Sequence, residues 1–465
     1  MAVCNQTVGK ANIQAVFVEI EEVAGVLQKP TPAGFVLPAG DVTISQTPTF
    51  EPSAEKSMSL NVTEQFQNAV EAGNVELPSY VRVNGYNKPQ GDALLQALMG
   101  EVQDTETVTL TLSTAATASD TELDVDNVNG GFLLERGVVE INSEKIRYTT
   151  RTETATGQYT LGGLTRAFDG TTAAAHDVDD VVTVLSRSYL QSICRPSVSV
   201  WVQFDHTVMF MAGCQVTNTN IPLSNTSGQM ITFSLNGRRM GWVGQSVIAS
   251  VSDSVITLDP DQVFGYSVGG YIYNATKNSD NSGNGYKITA IDKIANTITV
   301  TPTPTGFVAD DVLKPFLPVG TSVGTPTESR KAKIFLGNAT GLASSKQREG
   351  DLTIETPVTF TSEVGDEYPG EGADSMRNIT VSGGIYFRAE DANLIGKGYD
   401  GYEQRMDILL DDRPQKTMAF ILPKVKFNTP EVAVDDVFLV LNQTGTALGL
   451  DNERNRESSL YINIE

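Results

Sequence analysis

Two stretches of this chain, far apart in sequence, repeat one another element by element, and that repeat limits the fold more than any single motif. Near the start stands Val42-Thr-Ile-Ser-Gln-Thr-Pro-Thr-Phe50, and far downstream Leu352-Thr-Ile-Glu-Thr-Pro-Val-Thr-Phe360. Each runs into a polar segment and then returns to a strand-like run, residues 75–83 in the first case and 379–387 in the second. A short helical stretch opened by Asp-Ala follows in both, at Asp92 and at Asp391. Each closes in strands, residues 208–211, 214–216 and 231–235 against 418–422, 424–427 and 437–441. The repeat predicts a duplicated domain whose first copy is interrupted, because the second needs only a short link where the first spends most of a hundred residues.

The rest of the chain reads as short runs of Val, Ile, Thr, Tyr and Phe alternating with polar residues and punctuated by Gly, Asn, Asp and Pro, which is strand-and-turn patterning. Helical spacing is scarce. Residues 64–72 offer one candidate, and residues 92–99 another, with Asp92 as N-cap and Gly100 as the stop. The expected organisation is mainly β: a first domain from residues 1–103 plus 188–244, an inserted β-domain at 104–187, a second inserted β-domain at 245–320, and a second copy of the first domain at 321–465. Insertions of this kind are tolerated at strand-to-strand loops.

Chemistry has little foothold in recognised motifs. His176 and His206 stand without an HExxH or a cysteine at ligand spacing, and His206 reads as a surface turn. There is no GxSxG, no GxxxxGK[ST] and no strand-flanked GxGxxG, so the chain is expected not to be an enzyme and to need no cofactor or metal. Asp124, Asp126 and Glu135 resemble part of a calcium loop, but Val128 stands where an oxygen ligand belongs and Asn129 where the turn glycine belongs. Acidic pairs such as Asp179-Asp180, Asp310-Asp311, Asp411-Asp412 and Asp435-Asp436 read as solvated turns.

Acidic residues outnumber basic ones 56 to 33, a net charge of -23, which disfavours tight binding to a nucleic-acid backbone. The three cysteines, Cys4, Cys194 and Cys214, follow no metal or disulfide spacing and are expected to be reduced and buried. The N-terminus lacks the basic-then-apolar pattern of a secretory leader, and no run of about 18 apolar residues occurs, so no membrane insertion is expected.

The order of elements from Thr43-Ile-Ser-Gln-Thr-Pro48 through residues 64–72 and 75–82 to Asp92-Ala-Leu-Leu-Gln-Ala-Leu98 resembles the tail tube proteins of siphophages, in particular those with two fused tube domains per chain. Residues 406–414, 420–430 and 447–449 resemble the closing strands of the same family. The stretch Leu164-Thr-Arg-Ala-Phe-Asp-Gly-Thr-Thr-Ala-Ala-Ala-His176 is similar to a small β module found in many phage tail proteins, with Ala167 where glycine is more typical. The resemblance implies two tandem tail-tube β-sandwich or barrel domains with two small inserted β-domains projecting outward.

It further implies self-association into stacked rings around a lumen that conducts DNA from capsid to host without gripping it. Two fused domains imply a trimer with pseudo-sixfold symmetry, and one domain per chain would give a hexamer. Tail terminator, tape measure and baseplate proteins are the implied partners, and the implied location is the virion tail, assembled in the host cytoplasm. Glu51, Pro52, Glu55 and Lys56 in the first polar segment, and Glu363, Asp366, Glu367 and Tyr368 in the second, become the candidate inter-ring residues. A capsid or baseplate protein, or a secreted carbohydrate-active β-protein, are the competing expectations.

Overall fold

In a computed structural model the protein is described at residues 14–55, 61–62, 64–86, 88–104, 108–129, 133–338, 341–388, 391–411, 413–449 and 460–464. The fold is mainly β, with a 19-stranded sheet, a 7-stranded sheet and a closed barrel. Period-2 alternation explains the strands locally: in Gly73–Tyr80 the residues Gly73, Val75, Leu77 and Ser79 are buried while Asn74 and Glu76 face solvent.

The large sheet contains one wiring pattern twice. In the first half Gln14–Ile20 pairs with Val198–Phe204, which pairs with the long strand Thr207–Leu223. That strand pairs with Met230–Gly237, then Gly73–Tyr80, then Thr43–Ser45. In the second half Lys333–Asn338 pairs with Glu403–Leu409, then Met418–Phe427, then Phe438–Ala447, then Asn378–Tyr386, then Gln347–Glu355. All these pairings are antiparallel, and the chain visits them in the same order.

The register identifies equivalent positions. Ile44 lies opposite Val75 and Val75 opposite Leu235, just as Ile354 lies opposite Ile379. Asn218 and Lys426 therefore share a position, being opposite Ser234 and Thr446 in turn.

The halves are joined edge to edge. Residues Asn218 to Leu223 of the long strand pair antiparallel with Glu355 to Gly350. A second seam forms where Tyr461–Ile464 lies between Met418–Phe427 and Arg187–Gln191. One hydrophobic cluster runs through both halves, from Val16, Val75 and Phe233 to Ile354, Ile379 and Phe420.

Helix Asp92–Met99 buries Leu94, Leu95, Leu98 and Met99 in that cluster, each contributing roughly 1.5–3 kcal/mol by leaving water. Asp92 is not its N-cap: Gly91 holds that position with φ +78, and the Asp92 carboxylate instead accepts hydrogen bonds from Arg187 and the Tyr189 hydroxyl, the latter at 2.6 Å. Gly100 ends the helix with φ +108, a conformation a Cβ would strain. The helix expected at residues 64–72 is absent; Gln65–Gln67 is instead a strand paired with Phe50–Pro52. That stretch buries only Val70, so it has no apolar stripe to hold a helix against the core.

The seven-stranded sheet draws its strands from Thr109–Leu112 through Val181–Val184 and has its own core around Leu110, Ile141 and Leu161. The six-stranded barrel runs from Ser246–Ser252 to Val312–Pro315. Its interior is continuous with Phe17, Trp201 and Phe210 on the back of the first half. Cys214 is buried and Cys194 exposed, so the expectation of buried thiols fails at Cys194, while Cys4 lies outside the described residues. No described helix is long and apolar enough to cross a membrane.

Candidate assembly edges and polar sheet face

One sheet face is core, so the alternation that buries Val75, Leu235, Ile221, Ile354 and Ile379 must send their neighbours to the opposite face. That face bears a cross-strand row from Pro78 through Thr232, Asn220, Thr353, Thr380 and Thr446 to Lys426. A parallel row runs from Thr43 through Glu76, Ser234, Asn218 and Glu355 to Asn378. Small uncharged polar side chains predominate, and the charges include Glu76, Asp351 and Glu355, with Lys426 at the far side. The row crosses the joint without a break: the Asn220 amide donates to Thr353 Oγ1 at 3.2 Å. Over the second half the face is hollowed into a concavity of about 680 Å3, lined by Pro222, Asp351, Ser382, Asn428 and Thr444 among others.

Both ends of this run are open edges. Thr43–Ser45 pairs with Gly73–Tyr80 on one side, and among the described residues no strand pairs with its other side, whereas its counterpart Gln347–Glu355 is paired on both. At the opposite end Glu403 covers the edge as far as Lys426. Beyond it, from Phe427 through Glu431–Asp435, the chain pairs with Phe438–Ala447 alone among the described residues. Around that open end Val432, Val434, Val437, Phe438 and Leu439 are exposed. Exposed apolar residues on an unpaired edge are what monomeric proteins avoid.

The two polar segments become matching hairpins. Phe50–Pro52 pairs with Gln65–Gln67 and Val358–Phe360 with Gly372–Asp374. Glu51, Pro52 and Glu55 are exposed, and Lys56 lies outside the described residues. Glu363, Asp366 and Glu367 are exposed. Tyr368 is not: its ring lies 5.3 Å from the Arg239 guanidinium, and burial with the neighbouring Glu367 charge pushes its hydroxyl pKa up. The Glu367 carbonyl accepts from the Val70 amide at 2.9 Å, and the Pro369 carbonyl from Arg238 at 3.0 Å. The second hairpin loop thus leans sideways on the first half of its own chain.

Sequence reasoning missed a buried polar cluster in the seven-stranded sheet. Glu144 is held by Arg166 through two bonds of 2.8 Å, by His176 Nε2 at 2.8 Å, and by the amides of Ala167 and Ala174. These donors outweigh burial and hold its carboxyl at about 2. Ala167 adopts φ +54, the left-handed turn its glycine-like position requires. His176 is therefore a buried partner of Glu144, while His206 sits in a turn 3.5 Å from Asp205.

Asp124, Glu135, Asp311 and Asp411 are each bonded within the fold. Asp124 accepts from Thr160 at 2.6 Å, and Glu135 pairs with Arg405, so they do not converge. Asp311 and Asp411 depart from the solvated-turn expectation: Asp311 is buried on Asn274 and the Val308 amide, and Asp411 is buried against Arg413. Among the described residues no group of three or more His, Cys, Asp or Glu could hold a metal ion. No protein-family model matches the chain, and no curated protein matches its sequence.

Proposed function

We propose that this chain is a structural, non-enzymatic subunit of a bacteriophage tail tube, closing head to tail into rings that stack around a lumen for DNA. The observation that carries the reading is the internal joint. Two like-wired sheets meet as Asn218–Leu223 on Gly350–Glu355, and equivalent positions at the chain's two ends, Phe427–Glu431 and Gly40–Ser45, present the same two edges with no strand paired on their outer side among the described residues. Repeating the joint between chains places Phe427 opposite Ile44 and Asn428 opposite Thr43 of the next copy. Such a contact is heterologous, so it generates a closed ring or an open helix according to its rotation. With two tube domains per chain, three copies supply six sheets, giving threefold symmetry with pseudo-sixfold order; a hexamer would require one domain per chain.

The polar face supplies the wall. Small hydroxyl and amide side chains with scattered carboxylates offer a polyanion neither a charged grip nor an apolar surface, in keeping with a net charge of -23. On this reading the seven-stranded sheet and the barrel project outward from the tube domains, the former resting through Leu134 on Leu409, Ala419 and Ile421 of the second half and the latter sharing its interior with Phe17, Trp201 and Phe210 of the first. Tail terminator, tape measure and baseplate proteins are the partners this role entails, in a virion tail assembled in the host cytoplasm.

Negative-stain microscopy of the purified chain tests the reading. Rings or tubes of uniform bore with threefold averages are expected, and dispersed monomers at high concentration would refute it.

A further inference from the structure

Against the acidic background, one groove is rimmed by cations. It has a volume of about 290 Å3 and is lined by Arg330, Lys333, Lys346 and Arg348, with Glu349 as the opposing charge among its lining residues. Leu223 and Ile334, both buried, contribute an apolar floor beside Ala332. Arg330 pairs with Glu328, and Arg348 with Asp435, yet the Arg330 side chain remains 70% exposed and Lys346 faces solvent. The groove lies at the Leu223–Gly350 end of the internal joint.

The acidic loop leaves from the other end. Glu355 closes the joint opposite Asn218, and Val358–Phe360 and the loop follow it. The five residue-to-residue steps from Gly350 to Glu355 separate the two ends by about 17 Å of strand. The loop's shoulder is fixed by Tyr368, Pro369 and the Glu367 carbonyl, as described above. Its tip, Glu363-Val364-Gly365-Asp366, is free of that packing: Val364 is fully exposed, and Gly365 has φ +103. An apolar residue flanked by two carboxylates thus stands at one end of the molecule, and an apolar floor with a cationic rim at the other.

Building on the tube reading, we infer that the groove receives the Val364 tip of a second copy stacked along the strand direction. Val364 would sit over Leu223 and Ile334, with Glu363 and Asp366 facing Arg330 and Lys346. Because the tip and the groove lie on opposite ends of one chain, the contact does not close on itself and extends rings into a tube. It is also salt-sensitive, since rim charges are screened within about 3 Å at 1 M salt.

The experiment compares the full-length chain, R330E/K346E, E363K/D366K and the variant carrying all four changes, by microscopy and light scattering. Each double variant is expected to form rings yet to need roughly tenfold more protein to stack, and the fourfold charge swap to regain stacking. Rings of either double variant that stack like the parent, or a charge swap that fails to restore stacking, would overturn the groove and leave the tube reading intact. Failure of the parent chain to form any ring would overturn both.

Discussion

The helices of the two repeats occupy the same place in the wiring and meet opposite surroundings. Helix Asp92–Met99 packs against five strands and buries most of its residues. Helix Ala392–Tyr399 touches chiefly Met418–Phe427 and buries none, and Tyr399 is 83% exposed. The strand edges follow the same rule, since the first repeat's Asn218–Leu223 is covered by the second repeat and the second repeat's equivalent edge is open beyond Lys426 among the described residues. Equal wiring with unequal burial means that the first repeat finds its neighbour inside the chain; on the tube proposal the second finds its neighbour in another copy.

Substitutions at paired positions sharpen that contrast. The largest difference is expected for proline at equivalent edge positions. Ile221 is fully buried in the internal joint, so Ile221→Pro removes ladder and core contacts at a cost of about 3 kcal/mol or more, and circular dichroism would report an unfolded or severely destabilised chain. Thr429 is its counterpart on the open edge, where the neighbouring Asn428 amide already donates inward to Thr444. Thr429→Pro is expected to leave the isolated chain folded and to abolish rings. Rings that survive it would show that this edge does not carry the contact between copies.

Next in size is the acidic cluster that only the first repeat's insert carries. Glu144→Gln leaves Arg166 without its carboxylate and is expected to cost about 3–5 kcal/mol in urea unfolding of that insert. The pH sign follows from the lowered carboxyl. Its stabilisation is complete above the unfolded value of 4.5 and is lost as pH falls toward about 2, so acid unfolding in that window is expected to flatten in Glu144→Gln. Leu95→Ala is expected to cost about 2–5 kcal/mol. Ile395→Ala, on the uncovered helix, is expected to change monomer stability by only about 0.5 kcal/mol and to weaken assembly. A large monomer effect at Ile395 would mean that the second helix is not waiting for a partner.

The recurring strand order was legible because both stretches keep Thr-Ile followed by Pro-x-Thr-Phe or Pro-Thr-Phe, and strand alternation survives divergence. The helix at Asp92 was legible too, but its cap was not. An aspartate ahead of an apolar run looks the same whether it caps the helix or, as here, reaches Arg187 across the fold. Residues 64–72 misled because Phe66 and Val70 sit four apart, a spacing that fits one helical face although Phe66 is exposed in a hairpin.

The Glu144, Arg166 and His176 cluster and the open edges are tertiary facts. The first joins residues on different turns of a sheet, and whether a strand is an edge depends on what lies beside it rather than on its own residues. Of the polar-segment residues, Glu363 and Asp366 stand on an exposed tip, while Tyr368 is tied down by Arg239.

The internal joint has a kinetic consequence. Because Asn218–Leu223 and Gly350–Glu355 belong to one polypeptide, connected through the barrel, their pairing is unimolecular and proceeds at a fixed effective concentration however dilute the protein. Any contact made at the open edges obeys mass action. If the tube proposal holds, dilution dissects the two kinds of joint, leaving the fused pair of sheets intact and separating only what a second chain supplies.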